Sequence, residues 1–123
     1  MRLRHLIGLS LLFAAAAGSA APPSPSSRAE IAALLAALGD SGCRFERNGE
    51  WHDASAARAH LQRKLDQLLK RDAVTTAEEF IERAASRSSI SGDAYHVKCG
   101  DAAPVASGEW LSARLAALRA AAD

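Results

Sequence analysis

Cysteine is scarce in this 123-residue chain, with two in all, and aromatic residues make up only 5 % of it. Cys43 and Cys99 form no Cys-x-x-Cys pair, and His52, His60 and His96 form no His-x-x-x-His pair. That leaves none of the usual zinc or redox motifs, so we expect neither a metal nor a cofactor. Charge of one sign is also missing, with 15 Lys and Arg against 14 Asp and Glu. A nucleic-acid binder needs a strong basic excess, and this chain has none. The longest basic clusters, Arg63-Lys64 and Lys70-Arg71, are broken by Asp66 and Asp72 and read as the solvated side of a helix. There is no Gly-x-Ser-x-Gly elbow and no Ser-x-x-Lys pair, so no nucleophile motif stands out.

What is present begins at the N-terminus. Arg2, Arg4 and His5 precede an uncharged apolar run from Leu6 to Ala17, and Gly18-Ser19-Ala20 is a small-residue cleavage site. Residues 1–20 therefore read as a secretory signal peptide, too short and too quickly followed by proline to span a bilayer after export. Cleavage after Ala20 leaves Ala21 first; cleavage one residue later would place Pro22 at the peptidase site. Neither site is followed by cysteine, so no lipid anchor is expected. Subtracting Arg2 and Arg4 from 15 leaves 13 basic residues against 14 acidic, a formal charge of −1 for the mature chain. In an oxidising compartment the even pair Cys43 and Cys99 reads as one disulfide, worth roughly 4 kcal/mol for a loop of this length.

About a hundred mature residues suffice for one modest core. Residues 21–26, with Pro22, Pro23 and Pro25, read as a flexible leader, and residues 27–123 as a single domain. Ser27 to Glu30 has capping-box spacing and opens a helix carrying Ile31, Leu34, Leu35 and Leu38, stopped by Gly39 and Gly42. Asn48-Gly49 then predicts a two-residue hairpin turn in which Phe45 faces His52 and Glu46 faces Trp51, with Cys43 and Phe45 on the core side. Asp53 caps a helix from Ala54 to Arg71 with a Ala57, Leu61, Leu65, Leu68 stripe, and Thr76 to Glu79 opens a shorter helix ending near Ser86. Tyr95 to Cys99 alternates as a strand, Gly100 to Ser107 reads as a loop, and Ser107 caps a last helix with Trp110, Leu111, Leu115 and Leu118 inward. The expected fold is α+β: a small antiparallel three-stranded sheet, the hairpin plus one strand, covered by about four helices and stapled by Cys43–Cys99.

The segments Phe45-Glu46-Arg47-Asn48-Gly49, Ala59-His60-Leu61-Gln62-Arg63-Lys64-Leu65, Thr76-Ala77-Glu78-Glu79-Phe80-Ile81-Glu82 and Ser88-Ser89-Ile90-Ser91-Gly92 with Tyr95 resemble the YfeK-like family of small exported proteobacterial proteins. The resemblance implies a periplasmic, single-domain protein of a Gram-negative bacterium and carries no activity or site. One departure is local: the family often has Lys-Pro where this chain has Asp93-Ala94.

The candidate chemistry gathers around the serine-rich turn. Ser88, Ser89, Ser91 and Gly92, with His60 and Lys64 four apart on one helix flank, form the leading binding candidate, for an unknown periplasmic protein or small ligand and without catalysis. The plainer reading of the same serines is a turn whose hydroxyls cap the preceding helix. Ser91-Gly92-Asp93-Ala94-Tyr95 is also similar to the Ser-Gly-x-x-Tyr loop of periplasmic lysozyme inhibitors, which gives enzyme inhibition through Ser91 and Tyr95 as an alternative. A serine hydrolase pairing one of these hydroxyls with His60 or His96 is the third. Trp51 is expected at the surface and Trp110 in the core. Intact-mass measurement of the chain exported from a Gram-negative host should give a product beginning at Ala21 in the periplasmic fraction; a full-length membrane-bound product would refute the cleaved signal.

Overall fold

In the computed structural model, which describes residues 22–122, helix α1 spans Pro25–Gly39. It begins earlier than the capping-box reading places it. Ser24 is the N-cap, accepting from Ser27 N at 3.1 Å, and Pro25 takes the first helical position, where a missing N–H is harmless and φ is already helical. Pro23 is buried, and its carbonyl accepts from Arg28 Nε at 3.3 Å. The segment assigned to a flexible leader is thus part of the fold from residue 22 onward, while the proposed signal peptide lies outside the described residues. Glu30 does not reach back to its helix end; it accepts from Arg119 at 2.8 and 3.1 Å.

The hairpin forms as its turn residues dictate. Strands β1 (Arg44–Arg47) and β2 (Glu50–His52) pair Phe45 with His52 and Glu46 with Trp51, around Asn48 and Gly49 at φ 51 and 82. Asp53 caps helix α2 (Ala54–Lys70), accepting from Ala56 N at 2.7 Å. Thr76 accepts from Glu79 N at the start of α3 (Ala77–Phe80), which runs on into a π-helical turn, Ile81–Ala85. That widened turn was not expected; Ser86 Oγ closes it by donating to Ile81 O at 2.6 Å.

Strand β3 (His96–Lys98) pairs with β1, and β4 (Val105–Ala106) pairs with β3, so the sheet of the described residues has four antiparallel strands in the order β2-β1-β3-β4. The three-stranded expectation missed β4 because two residues are too few to show alternation, and the strand passes directly into helix α4 (Ser107–Ala122). Gly108 in its first turn lies so close to the π-helical turn that a Cβ there would sit 2.7 Å from Ser86 Oγ.

The fold is α+β, with the helices on the Phe45 and Val97 side of the sheet. Helix α1 packs against α2, α3 and α4, burying Ile31, Leu34, Leu35 and Leu38 among Leu61, Val74, Phe80 and Leu111. Arg119 of α4 ties three helices together by pairing with Glu30 of α1 and Glu78 of α3. Trp110, expected in the core, is half-buried at the edge of α4, with the Arg114 guanidinium 4.8 Å from its ring centroid. Trp51 is 36 % exposed on the opposite face of the sheet.

Cys43 and Cys99 are bonded, and they continue the β1–β3 register one step beyond Arg44 and Lys98. Replacing both with serine should lower unfolding free energy by about 2–4 kcal/mol in urea titration, because the unfolded chain regains the entropy of an open loop. An unchanged midpoint would show that the bridge adds nothing to the fold.

Candidate functional site

A cleft of about 610 Å³ opens between the end of β1, one flank of α2 and the loop that precedes β3. Helical spacing brings His60, Lys64 and Gln67 of α2 onto its wall, since residues three and four apart share a face. Arg47 and Asn48 enter from the hairpin, Glu50 stands on its rim, and Ser88, Ser89 and Ile90 come from the loop.

Tyr95 joins the cleft to the core. The residue is 1 % exposed, and its ring rests 5.0 Å, centroid to centroid, from Phe45, while Lys64 Nζ lies 4.9 Å from the same ring. Backbone bonds fix its position: Tyr95 N donates to Ser86 O at 3.0 Å, and Tyr95 O accepts from Ser107 N at 2.8 Å. The hydroxyl meets His60 Nε2 at 3.2 Å and Lys64 Nζ at 3.1 Å.

These contacts set the protons. Arg47 Nη1 has only hydrogens to offer and lies against both ring nitrogens of His60, so the unprotonated nitrogen accepts from it. Lys64 Nζ donates to Tyr95 Oη, and that hydroxyl and His60 Nε2 share one hydrogen. Lys64 spends a second hydrogen on Arg87 O at 2.9 Å and keeps its third.

Electrostatics follow from the crowding of cations. Burial, then Arg47 and Lys64, and more weakly Arg63 and His52, push the His60 pKa down to about 4, so the ring is neutral at neutral pH. Burial and the nearby Arg47 lower the Lys64 pKa as well. Burial raises that of Tyr95, opposed by Arg47. Among the described residues, neither Arg47 nor Lys64 has a carboxylate within ion-pair distance.

The serine loop is held rather than loose. Ser88 is buried, and its Oγ accepts from Ile90 N, Ser91 N and Asn48 Nδ2, each at 3.2 Å. Ser91 Oγ donates to Asn48 Oδ1 at 2.7 Å and accepts from Asp93 N at 3.1 Å. Asn48 therefore clasps the loop to the hairpin with both ends of its amide. Ser88 and Ser91 serve the turn, bonding within the loop and to Asn48 and not capping the preceding helix, which Ser86 closes, and Ser89 keeps an exposed hydroxyl beside the cleft. Gly92, at φ 76, lies on the other flank of the loop along a groove with Arg71 and Arg83.

His60, Lys64, Ser88, Ser89 and Tyr95 are thus brought together, while Ser91 and Gly92 shape the loop without lining the cleft. His96 is elsewhere, its Nδ1 3.2 Å from Glu46 Oε2 on the open face of the sheet. No loop serine is hydrogen-bonded to His60 or His96 among the described residues. Arg47, Asn48, Gln67 and Ile90 were not singled out from the sequence. Gln67 continues the His60 and Lys64 spacing and was within reach of it; Arg47 needed the strand register. The described residues hold no group of three His, Cys, Asp or Glu side chains suited to a metal.

Residues 25–119 match the model of a family of unknown function, DUF5329. The chain belongs to that family. It is also 43 % identical over 68 residues to the uncharacterized protein YfeK of Salmonella typhimurium strain LT2, covering 54 % of this chain and 55 % of YfeK. The chain therefore spans about half the length of the curated relative it matches. No solved structure matches the chain. The DUF5329 match spans α1 to most of α4, so it includes the cysteine pair and every wall of the cleft.

His60 gives the cleft a pH signature. Its folded pKa, about 4, lies below the ordinary 6.5, so between those values the unfolded chain binds a proton that the folded chain refuses. Folding stability should fall as pH drops from about 6.5 to about 4, and His60 should contribute no further loss below that. His60→Gln should flatten this part of the profile in urea titrations at neutral and mildly acidic pH; parallel profiles for both proteins would contradict the assignment.

Proposed function

We propose that this DUF5329 protein is an exported, non-enzymatic binding module that takes a small ligand in the cleft beside Tyr95. The observation that carries this reading is the pair Arg47 and Lys64, half-buried cations facing one cleft without carboxylate partners. Burying charge without compensation opposes stability, so such a pair is understood when something outside the chain completes it. Ser88, Ser91 and Asn48 support the reading by holding one wall in place before anything binds. The signal-like N-terminus supports export to the periplasm.

Enzyme inhibition through Ser91 and Tyr95 requires both side chains to enter another protein's cleft. Ser91 is engaged with Asn48, and the Tyr95 ring lies in the core, so the geometry favours a ligand coming in over side chains going out. The hydrolase alternative lacks a serine bonded to a histidine base.

Lys64→Met separates binding from folding. The variant should lose retention of small molecules from a periplasmic extract, read by native mass spectrometry, while its unfolding free energy falls by no more than about 1–2 kcal/mol, relief of the half-buried charge offsetting part of the lost bonds to Arg87 O and Tyr95 Oη. Retention equal to wild type in a folded Lys64→Met protein would overturn the proposal.

A further inference from the structure

Resting on the cleft reading above, we infer that the occupant is a small organic or inorganic oxyanion, a carboxylate or phosphate, received by Arg47 and Lys64. Among the described residues Arg47 commits Nη1 to His60 and retains the rest of its fork, and Lys64 retains one ammonium hydrogen. Gln67 and Ser89, without side-chain hydrogen bonds among the described residues, add groups that can donate or accept on the α2 and loop sides.

Acceptors are few. The unprotonated nitrogen of His60 is taken by Arg47, Asn48 Oδ1 by Ser91, and Ser88 Oγ by three donors. Glu50 is the one carboxylate on the cleft wall, and its side chain is 80 % exposed at the rim, 4.0 Å from His52. A ligand must therefore bring acceptors, and charge favours negative ones. A forked guanidinium beside an ammonium matches the oxygens of a carboxylate or phosphate. A cationic ligand would leave the same donors unpaired, and a neutral one could accept from them without offsetting the two positive charges.

Solution NMR of the exported chain tests this with four probes: inorganic phosphate, succinate, the neutral sugar trehalose and the dication putrescine. Phosphate, succinate or both should shift the His60 and Tyr95 ring signals and raise the His60 pKa from about 4, because an anion offsets Arg47 and Lys64. The oxyanion that binds names the group. Calorimetric affinity for it should fall by about tenfold or more in Arg47→Gln and in Lys64→Met, with dispersed spectra showing that each variant is folded. If Lys64→Met does not fold, Arg47→Gln alone decides, and a loss below about twofold overturns the inference. If trehalose or putrescine shifts the rings and the oxyanions do not, the oxyanion inference falls while the cleft reading stands. If none of the four does so at millimolar concentration, both fall.

Discussion

The placement of Tyr95 is the constraint on which both the core and the cleft depend. One face of its ring belongs to the hydrophobic cluster through Phe45, its main chain links the π-helical turn to α4, and its hydroxyl ends among cations. A phenol suits this position because it is apolar along most of its length and polar at one end. Phenylalanine would fill the core equally well and leave His60 and Lys64 without a shared partner. The cleft floor is thus an outgrowth of the core and inherits its rigidity.

Rigidity on the other wall comes from Asn48. A residue chosen for the left-handed backbone of a hairpin turn also carries an amide that satisfies Ser88 and Ser91 across 40 and 43 positions of sequence. The turn and the loop therefore hold each other. What remains unsatisfied after these bonds is concentrated on Arg47, Lys64 and the rim, and Ile90, 96 % exposed at the loop tip, adds apolar surface there.

Much of this was legible in the sequence where the cause is local. Asn48-Gly49 carries the hairpin and its register, Asp53 and Thr76 announce helix starts, and the even cysteine pair announces the bridge. The misreadings arose where a distant partner decides. Glu30 is drawn away by Arg119, and β4 exists only because β3 lies beside it, while Pro25 is a local exception, a helix breaker in isolation that the adjacent cap Ser24 turns into a helix start. The site divides in the same way: His60 and Lys64 follow from helical spacing, whereas Arg47 reaches them only through the sheet, and Ser91 and Gly92 drew notice by composition while serving the turn.

The disulfide and the cleft sit at opposite ends of the same pair of strands. Cys43 and Cys99 close the β1–β3 ladder at one end, and Arg47 and Tyr95 emerge at the other. The covalent bond at one end and the buried, backbone-bonded Tyr95 at the other hold the register of the ladder between them. A slip of one residue, which would turn every side chain of β1 to the other face and carry Arg47 away from the cleft, is therefore opposed at both ends.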